Sequence, residues 1–220
     1  VDWVNNKALH EKKKAACMAG RGKGVTPVIS CGTPTWGTEV RIVDKDNQPL
    51  KEKKVGEIAI KGKTLFSGYY SKLEQTDTPP TSGWFLTGDI GYLSENQLYI
   101  CGRKKDTIII AGKNLFPEDI EQVVGRFPML YDDRVAVLGI WDWDKGTEQA
   151  VIAAEISKNA SGDDTTVLEK KIRELVFHEF DVVLQDVILV KRGWLERTAN
   201  GKIKRKASSE KYIRDYLSVK

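Results

Sequence analysis

From Glu39 onward, short apolar runs alternate with turn-forming residues, and this spacing constrains the fold more than any other feature of the chain. The runs are EVRIVD, VGEIAIKG, WFLTGDIGYL and NQLYICG, and the turn-rich DKDNQPL separates the first two. Short runs of β-branched or alternating apolar side chains, bounded by Gly, Pro, Asn or Asp, are typical of strands joined by tight turns. Residues 29–103 are therefore predicted to form a small, mostly antiparallel β unit.

Beyond residue 103, predicted strands and helices alternate. The run TIIIAGKN extends the β pattern to a hairpin strand, and Pro117 followed by acidic residues marks a helix start. RVAVLGIW, EQAVIAAEI and DVILV predict three further strands. TTVLEKKIRELVFHEF predicts a helix, and residues 204–217 predict a basic one. The apolar spacing in the first of these helices falls at Val167, Ile172, Leu175 and Val176.

The predicted fold class is therefore α+β, with two domains in 220 residues. A small antiparallel β unit, residues 29–103, is followed by a separate α+β domain, residues 104–220. The boundary is predicted in the polar stretch of residues 102–105. Residues 1–28 lack a sustained apolar period, apart from a predicted short helix between residues 8 and 18, and are predicted to be a loop-rich segment.

The charge distribution argues against a nucleic-acid partner. The net charge is +4, and residues 1–30 already account for it with six Lys or Arg and two Asp or Glu. Basic and acidic side chains are equal in number over residues 31–220, which is weak support for a general polyanion binder. Binding of DNA or RNA through the lysine-rich ends stays as an alternative that predicts a steep salt dependence.

The cysteines and the hydropathy indicate a cytoplasmic protein without a membrane span. Cys17, Cys31 and Cys101 are widely spaced and odd in number, and no histidine stands at metal-ligand spacing. Neither a disulfide framework nor a metal site is predicted. The apolar runs are only strand-sized, and no signal peptide is recognised. The first residue is Val1, so the chain is expected to begin within a longer protein.

The first string with chemical potential is LTGDIGYL, which contains Gly88 and Asp89 between apolar residues. A strand end or turn at this point can direct the carboxylate outward. An ionised Asp accepts two hydrogen bonds at once, which suits the vicinal diol of a ribose. An Asp in such a string also caps its own backbone in an Asx turn, and the tripeptide alone leaves both interpretations open.

The second string, ICGRKKDTIIIAGKN, follows Asp89 closely and belongs to the same predicted β unit. Gly102 permits unusual backbone geometry, and Arg103 offers a fork of donors for a phosphate or ribose oxygen. A solvated loop is the alternative.

The third string, RTANGKIKRKA, places Gly201 and Lys202 in a loop of turn-forming residues. Such a loop is predicted to be a mobile arm that carries an ammonium to a distant anionic centre, where a point charge stabilises a transition state. A basic helix start exposed to water is the alternative.

Together and in this order, the strings resemble the C-terminal signature of the adenylate-forming superfamily, which contains acyl-CoA synthetases, luciferases and nonribosomal-peptide adenylation domains. The resemblance rests on TGD at 87–89, GRKKD at 102–106 with Gly112, PEDIE at 117–121 and TANGKI at 198–203. ISCG at 29–32, GWFLTGDIGYL and the continuation to NLFPEDIE are most similar to fatty acyl-AMP ligases. In those ligases an insertion that restrains the C-terminal domain falls near residues 1–28.

The resemblance implies a role for each matching residue. Asp89 and Arg103 would bind the nucleotide, and Lys202 would be catalytic, bridging the fatty-acid carboxylate and the α-phosphate of ATP. Lys105 would be the hinge about which a mobile lid, residues 104–220, turns between two poses. Four glycines would support these loops: Gly88, Gly102, Gly112 and Gly201.

The resemblance also implies cofactors and partners. Fatty acid and ATP would give acyl-adenylate and pyrophosphate, with an acyl carrier protein, or a polyketide or peptide synthase, as acceptor. The glycine-rich phosphate loop, the substrate tunnel and the motif that helps bind Mg²⁺ are absent from the sequence, so the fragment alone is predicted to be inactive. The alternatives are an acyl-CoA synthetase and a non-catalytic module that binds a carrier protein or nucleotide.

Overall fold

The computed structural model describes residues 1–66, 83–157 and 162–217. The chain divides into two compact units, Val1–Lys105 and Asp106–Lys220, so the division falls directly after Lys105. The predicted α+β class is confirmed, because antiparallel sheets occur in both units and the longer helices lie in the second.

Residues 1–28 are not rich in loops, and that prediction is wrong. They form strands β1 (Asp2–Asn5), β2 (Cys17–Met18) and β3 (Val25–Val28) and the short helix α1 (Asn6–Lys12). The strands make an antiparallel sheet in the order β2-β1-β3. Each strand is too short to show a period of its own, and only pairing between residues distant in sequence makes them strands.

The predicted antiparallel β unit is confirmed. Strands β4 (Thr38–Val43), β5 (Gly56–Gly62), β6 (Phe85–Ser94) and β7 (Gln97–Arg103) form one sheet in chain order. Every neighbouring pair in this sheet is antiparallel. Ile42, Ile58 and Tyr92 are almost completely buried in it.

The second unit begins with a hairpin of β8 (Ile108–Ile110) and β9 (Lys113–Leu115), followed by α2 (Pro117–Val124). Pro117 occupies the first turn of α2 with Glu118 and Asp119, as predicted. Strands β10 (Leu130–Asp142) and β11 (Thr147–Ile156) pair in antiparallel fashion, and β12 (Asp186–Val190) runs parallel to β11. Helix α3 (Gly162–Phe180) connects β11 to β12. Helix α4 (Arg205–Tyr212) continues into a π-helical turn, Ile213–Leu217.

The central sheet of the second unit is buried on both faces. Along β10, Val135 and Val137 belong to a core that includes residues of α2 and α3, whereas Ala136 and Leu138 belong to a core that includes Tyr212 of α4. Successive residues of a strand point to opposite faces, so this alternation places helices on both sides of the sheet.

Helix α3 differs by one position from its predicted apolar stripe. Leu168, Ile172, Val176 and Phe180 face the core, whereas Val167 is 52% exposed. These four residues repeat every fourth position and so lie on one face of the helix. No helix in the described parts of the chain is long and apolar enough to cross a membrane.

Candidate functional site

Thr87, Gly88 and Asp89 form a bulge in the middle of β6. Glu57 of β5 pairs with Ile90 and Ala59 pairs with Leu86, so only Ile58 lies opposite the three bulged residues. Gly88 has a φ of +74°, a left-handed conformation that glycine adopts without steric cost. Asp89 was predicted at a strand end or turn, but it lies within the strand, where the bulge redirects its side chain.

The hydroxyl of Thr87 holds the bulge together. It donates a hydrogen bond to the Ile58 carbonyl at 3.0 Å and accepts one from the Asp89 amide at 3.1 Å. On the other side of β6, the Lys104 amide donates to the Gly88 carbonyl at 2.8 Å. The backbone around Asp89 is therefore fixed from both neighbouring strands.

Asp89 and Arg103 are directly opposite each other on β6 and β7, and their side chains form an ion pair. Arg103 Nε lies 2.9 Å from Asp89 Oδ1, and the two side chains are 55% and 25% exposed. Exposed ion pairs contribute only about 0–1 kcal/mol to stability, so folding alone gives little reason for this pairing. Instead of capping its own turn, the carboxylate is held by Arg103 and keeps acceptor capacity on a partly exposed edge.

Sequence reasoning missed Glu57, which lies next to this pair. Its side chain is only 10% exposed and accepts a hydrogen bond from Lys104 Nζ at 2.6 Å. In the sequence, Glu57 could have been noticed as a glutamate inside the otherwise apolar run VGEIAI. Lys105 follows Lys104 in the chain, and it is exposed and is the last residue of the first unit.

Two of the four glycines that were expected to support loops, Gly102 and Gly112, differ in backbone conformation. Gly102 was predicted to have unusual backbone geometry, but it lies within the extended strand β7 opposite Ile90. Gly112, with a φ of +81°, and Ala111, with +48°, make the two-residue turn between β8 and β9. That turn requires positive φ at both positions.

Lys202 lies in the second unit, where the predicted loop is a hydrogen-bonded turn. The turn closes where Arg197 bridges to Ile203, and Gly201 within it has a φ of +83°. The Thr198 amide donates to the Lys202 carbonyl at 2.8 Å, and the Lys202 amide donates to Thr198 Oγ1 at 3.0 Å. The lysine side chain is exposed, and no carboxylate in the described parts of the chain lies within ion-pair distance of it.

A second group that sequence reasoning missed surrounds Arg205 at the start of α4. Its guanidinium lies 2.7 Å from Glu121, 3.2 Å from Glu118 and 3.5 Å from Asp106. Burial raises the pKa of Glu121 to about 7, although Arg205 and a hydrogen bond from the Val137 amide act in the opposite direction. Burial also raises the pKa of Glu118. The signal in the sequence was an arginine in the first turn of a helix, where the dipole disfavours positive charge.

Glu155 was missed as well, and its side chain is completely buried. Its Oε1 accepts the amides of Gly193 at 2.9 Å and Leu195 at 3.0 Å, and its Oε2 accepts from Arg134 Nη1 at 3.0 Å. The Glu155 carboxylate therefore binds the segment that contains Gly193 and Leu195, and that precedes the Lys202 turn, to the central sheet.

Known proteins resemble this chain in sequence and in structure. A family described as AMP-binding enzyme matches residues 15–70. A chain from a structural study of fatty acyl-adenylate ligases from E. coli and L. pneumophila superposes with a TM-score of 0.83 at 26% identity, over 99% of this chain and 38% of that one. The adenylation and carrier didomain of McyG, with phenylalanyl-adenylate, has a TM-score of 0.74 at 31% identity, over 87% and 30%. The chain is therefore similar in sequence and in fold to the C-terminal part of adenylate-forming enzymes.

Its curated relatives include proteins that are named as fatty-acid ligases. The chain is 34% identical over 201 residues to the medium-chain-fatty-acid–[acyl-carrier-protein] ligase JamA of Moorena producens (strain JHB), covering 86% of this chain and 34% of JamA. It is 33% identical over 205 residues to the putative fatty-acid–CoA ligase FadD21 of Mycobacterium tuberculosis (strain H37Rv), covering 85% and 34%. The chain thus spans about a third of the length of the curated relatives it matches.

Proposed function

We propose that this chain is the C-terminal part of a fatty acyl-AMP ligase. In the proposed reaction, a fatty-acid carboxylate attacks the α-phosphate of ATP and releases pyrophosphate. The thiol of a carrier protein then attacks the acyl carbon of the adenylate, which forms a thioester and releases AMP. The observation that carries the proposal is the ion pair of Asp89 and Arg103 beside the bulge at Gly88. JamA, a relative named as a fatty-acid–acyl-carrier-protein ligase, supports the substrate class.

Asp89 and Arg103 bind the ribose in this proposal. An ionised carboxylate has about four lone-pair directions, so Asp89 can accept the two ribose hydroxyls while one of its oxygens stays paired with Arg103. The guanidinium orients the carboxylate and adds positive charge beside the nucleotide. Gly88 contributes by allowing the bulge that fixes the Asp89 backbone.

Lys202 supplies the catalytic charge. Its exposed ammonium is presented by the turn at Gly201 and is not consumed by a neighbouring carboxylate in the described residues. Placed between the fatty-acid carboxylate and the α-phosphate, it reduces their mutual repulsion and stabilises the charge that develops in the transition state. Lys105, an exposed polar residue at the division between the units, acts as the hinge that brings Lys202 to the nucleotide.

The remaining parts of the site belong to the longer protein. The phosphate loop, the fatty-acid tunnel and the Mg²⁺ ligands are supplied by segments outside this chain. Within the described ranges, no group of three or more His, Cys, Asp or Glu is arranged to hold a metal ion. An acyl carrier protein, or the carrier domain of a polyketide or peptide synthase, is the proposed acceptor.

The test uses the longer protein that contains this chain. ATP–pyrophosphate exchange is measured with a series of fatty acids, comparing Lys202→Ala with Lys206→Ala, a matched control because both side chains are exposed. Loss of the charge at Lys202 is expected to lower the exchange rate by about 10²–10³-fold, the usual effect of removing one transition-state donor. The Lys206 variant is expected to keep the parent rate. Equal rates for both variants would refute the assigned role, and no exchange by the parent protein would favour a non-catalytic binding module.

A CoA thioester product is the second candidate, because FadD21 is named a putative fatty-acid–CoA ligase. Mass spectrometry of the products, with CoA and a carrier protein offered in separate reactions, distinguishes the two acceptors. Acyl-CoA as the dominant product would replace the carrier-protein proposal.

A further inference from the structure

The position of Lys202 depends on its backbone, because its ammonium has no ion pair in the described parts of the chain. The turn that carries it is closed by local hydrogen bonds between Thr198 and Lys202. Such a turn can keep its shape and still move as a body relative to the sheet. Something outside the turn must therefore hold it to the rest of the second unit.

Arg205 is placed to do this, together with Arg197, whose guanidinium donates to the Asp133 carbonyl. Arg205 follows Lys202 by three positions, and its side chain is only 17% exposed. Helix α4 has no acidic residue in its first turn and no side-chain cap at Lys204, so the helix start is not stabilised locally. A positive charge at this end is unfavourable for the helix itself, and the carboxylates that surround it compensate.

The three carboxylates come from two separate parts of the second unit. Glu118 and Glu121 lie on α2, and Asp106 is the first residue of the unit, directly after the proposed hinge. Glu121 is itself fixed, because its other oxygen accepts the Val137 amide of β10 at 2.9 Å. One guanidinium thus connects the start of the unit, helix α2 and, through Glu121, the central sheet to the segment that follows Lys202.

We propose that Arg205 is a positioning residue, whose ion pairs with Asp106, Glu118 and Glu121 hold the Lys202 turn in a fixed place relative to the hinge end of the second unit. A rotation about Lys105 then carries Lys202 as part of a rigid body. The guanidinium fork is required, because a single ammonium does not span three carboxylates on two segments. The catalytic consequence rests on the proposed function, whereas the structural consequence does not.

The structural part is tested on this chain by amide hydrogen exchange. In Arg205→Met, the amides of Thr198, Lys202 and Lys204 are expected to exchange at least about tenfold faster, a loss of about 1.4 kcal/mol of protection. The amides in the middle of β11 are expected to change less than threefold. If Arg205→Met does not fold, the exchange of the same turn and β11 amides is measured in Arg205→Lys. Unchanged exchange in the turn, or an equal increase in turn and sheet, would overturn the proposal.

The catalytic part is tested in the longer protein by ATP–pyrophosphate exchange with a fatty acid. Arg205→Met is expected to lower kcat by about tenfold or more and to change the KM for ATP less than threefold, because the ribose site at Asp89 is untouched. Arg205→Lys is expected to recover only part of kcat. An unchanged kcat in Arg205→Met, together with a large loss in Lys202→Ala, would refute positioning. No loss in Lys202→Ala, together with faster exchange of the turn amides in Arg205→Met, would refute the catalytic role proposed for Lys202 and leave the structural anchor intact.

Discussion

The buried carboxylate of Glu155 offers a sharp test of how the segment before Lys202 is held. The side chain has no exposed surface, and its two oxygens accept the amides of Gly193 and Leu195 and the guanidinium of Arg134. Glu155→Ala removes all three bonds and leaves the Arg134 side chain, 23% exposed, without its carboxylate. An amide that loses an ionised acceptor costs about 1.5–3 kcal/mol, and breaking a buried ion pair costs about 3–5 kcal/mol in total.

We therefore expect Glu155→Ala to destabilise the second unit by about 3–5 kcal/mol. Since about 1.4 kcal/mol corresponds to a factor of ten, the amides of Gly193 and Leu195 should exchange with deuterium about 10²–10³·⁵-fold faster. Glu155→Gln is the matched control, because its amide oxygen can still accept both backbone amides, whereas its NH2 group loses the charge and can no longer accept from Arg134. Its cost should be about 1–2 kcal/mol.

Hydrogen exchange followed by NMR measures these amides individually, so the unfolding of the first unit does not enter the result. If Gly193 and Leu195 in Glu155→Ala exchanged within tenfold of the parent, the carboxylate would not anchor the segment. Equal effects of the alanine and glutamine substitutions would show that the two backbone hydrogen bonds to Glu155 contribute little.

Two further substitutions test the bulge and the acidic cluster. Gly88→Ala should destabilise the first unit by about 1–2 kcal/mol, because the left-handed φ disfavours a Cβ although no atom lies within 4 Å of it. Gly88→Asn should cost less, and urea unfolding compares the two; equal costs would contradict a conformational cause. Glu121→Gln tests the carboxyl whose pKa is raised to about 7. A raised pKa makes the folded state bind more protons, so stability falls as pH rises from about 4.5 to about 7. In Glu121→Gln, the fall in the free energy of unfolding over this pH range should be smaller by up to about 3 kcal/mol, as measured by urea unfolding at several pH values. If the free energy of unfolding fell as steeply with pH as in the parent, the raised pKa of Glu121 would be contradicted.

Local patterns were sufficient for the type of most elements. The start of α2 could be predicted from Pro117 and the acidic residues after it, because capping depends only on neighbours within one turn. The strands of the β unit could be predicted from alternating apolar runs between turn residues. Helix α3 could be predicted too, but Val167 and Leu168 are adjacent and apolar, and only packing against the sheet decides which of them is buried.

The sequence by itself determined which strings could carry chemistry, since the residue types at Asp89, Arg103 and Lys202 limit what each can bind or stabilise. Only the tertiary structure paired Asp89 with Arg103 across two strands, because the register of β6 against β7 places the two residues opposite each other. It likewise made a sheet and a short helix of residues 1–28 and surrounded Arg205 with three carboxylates. Contacts between residues far apart in the chain decide these features, and no local period encodes them.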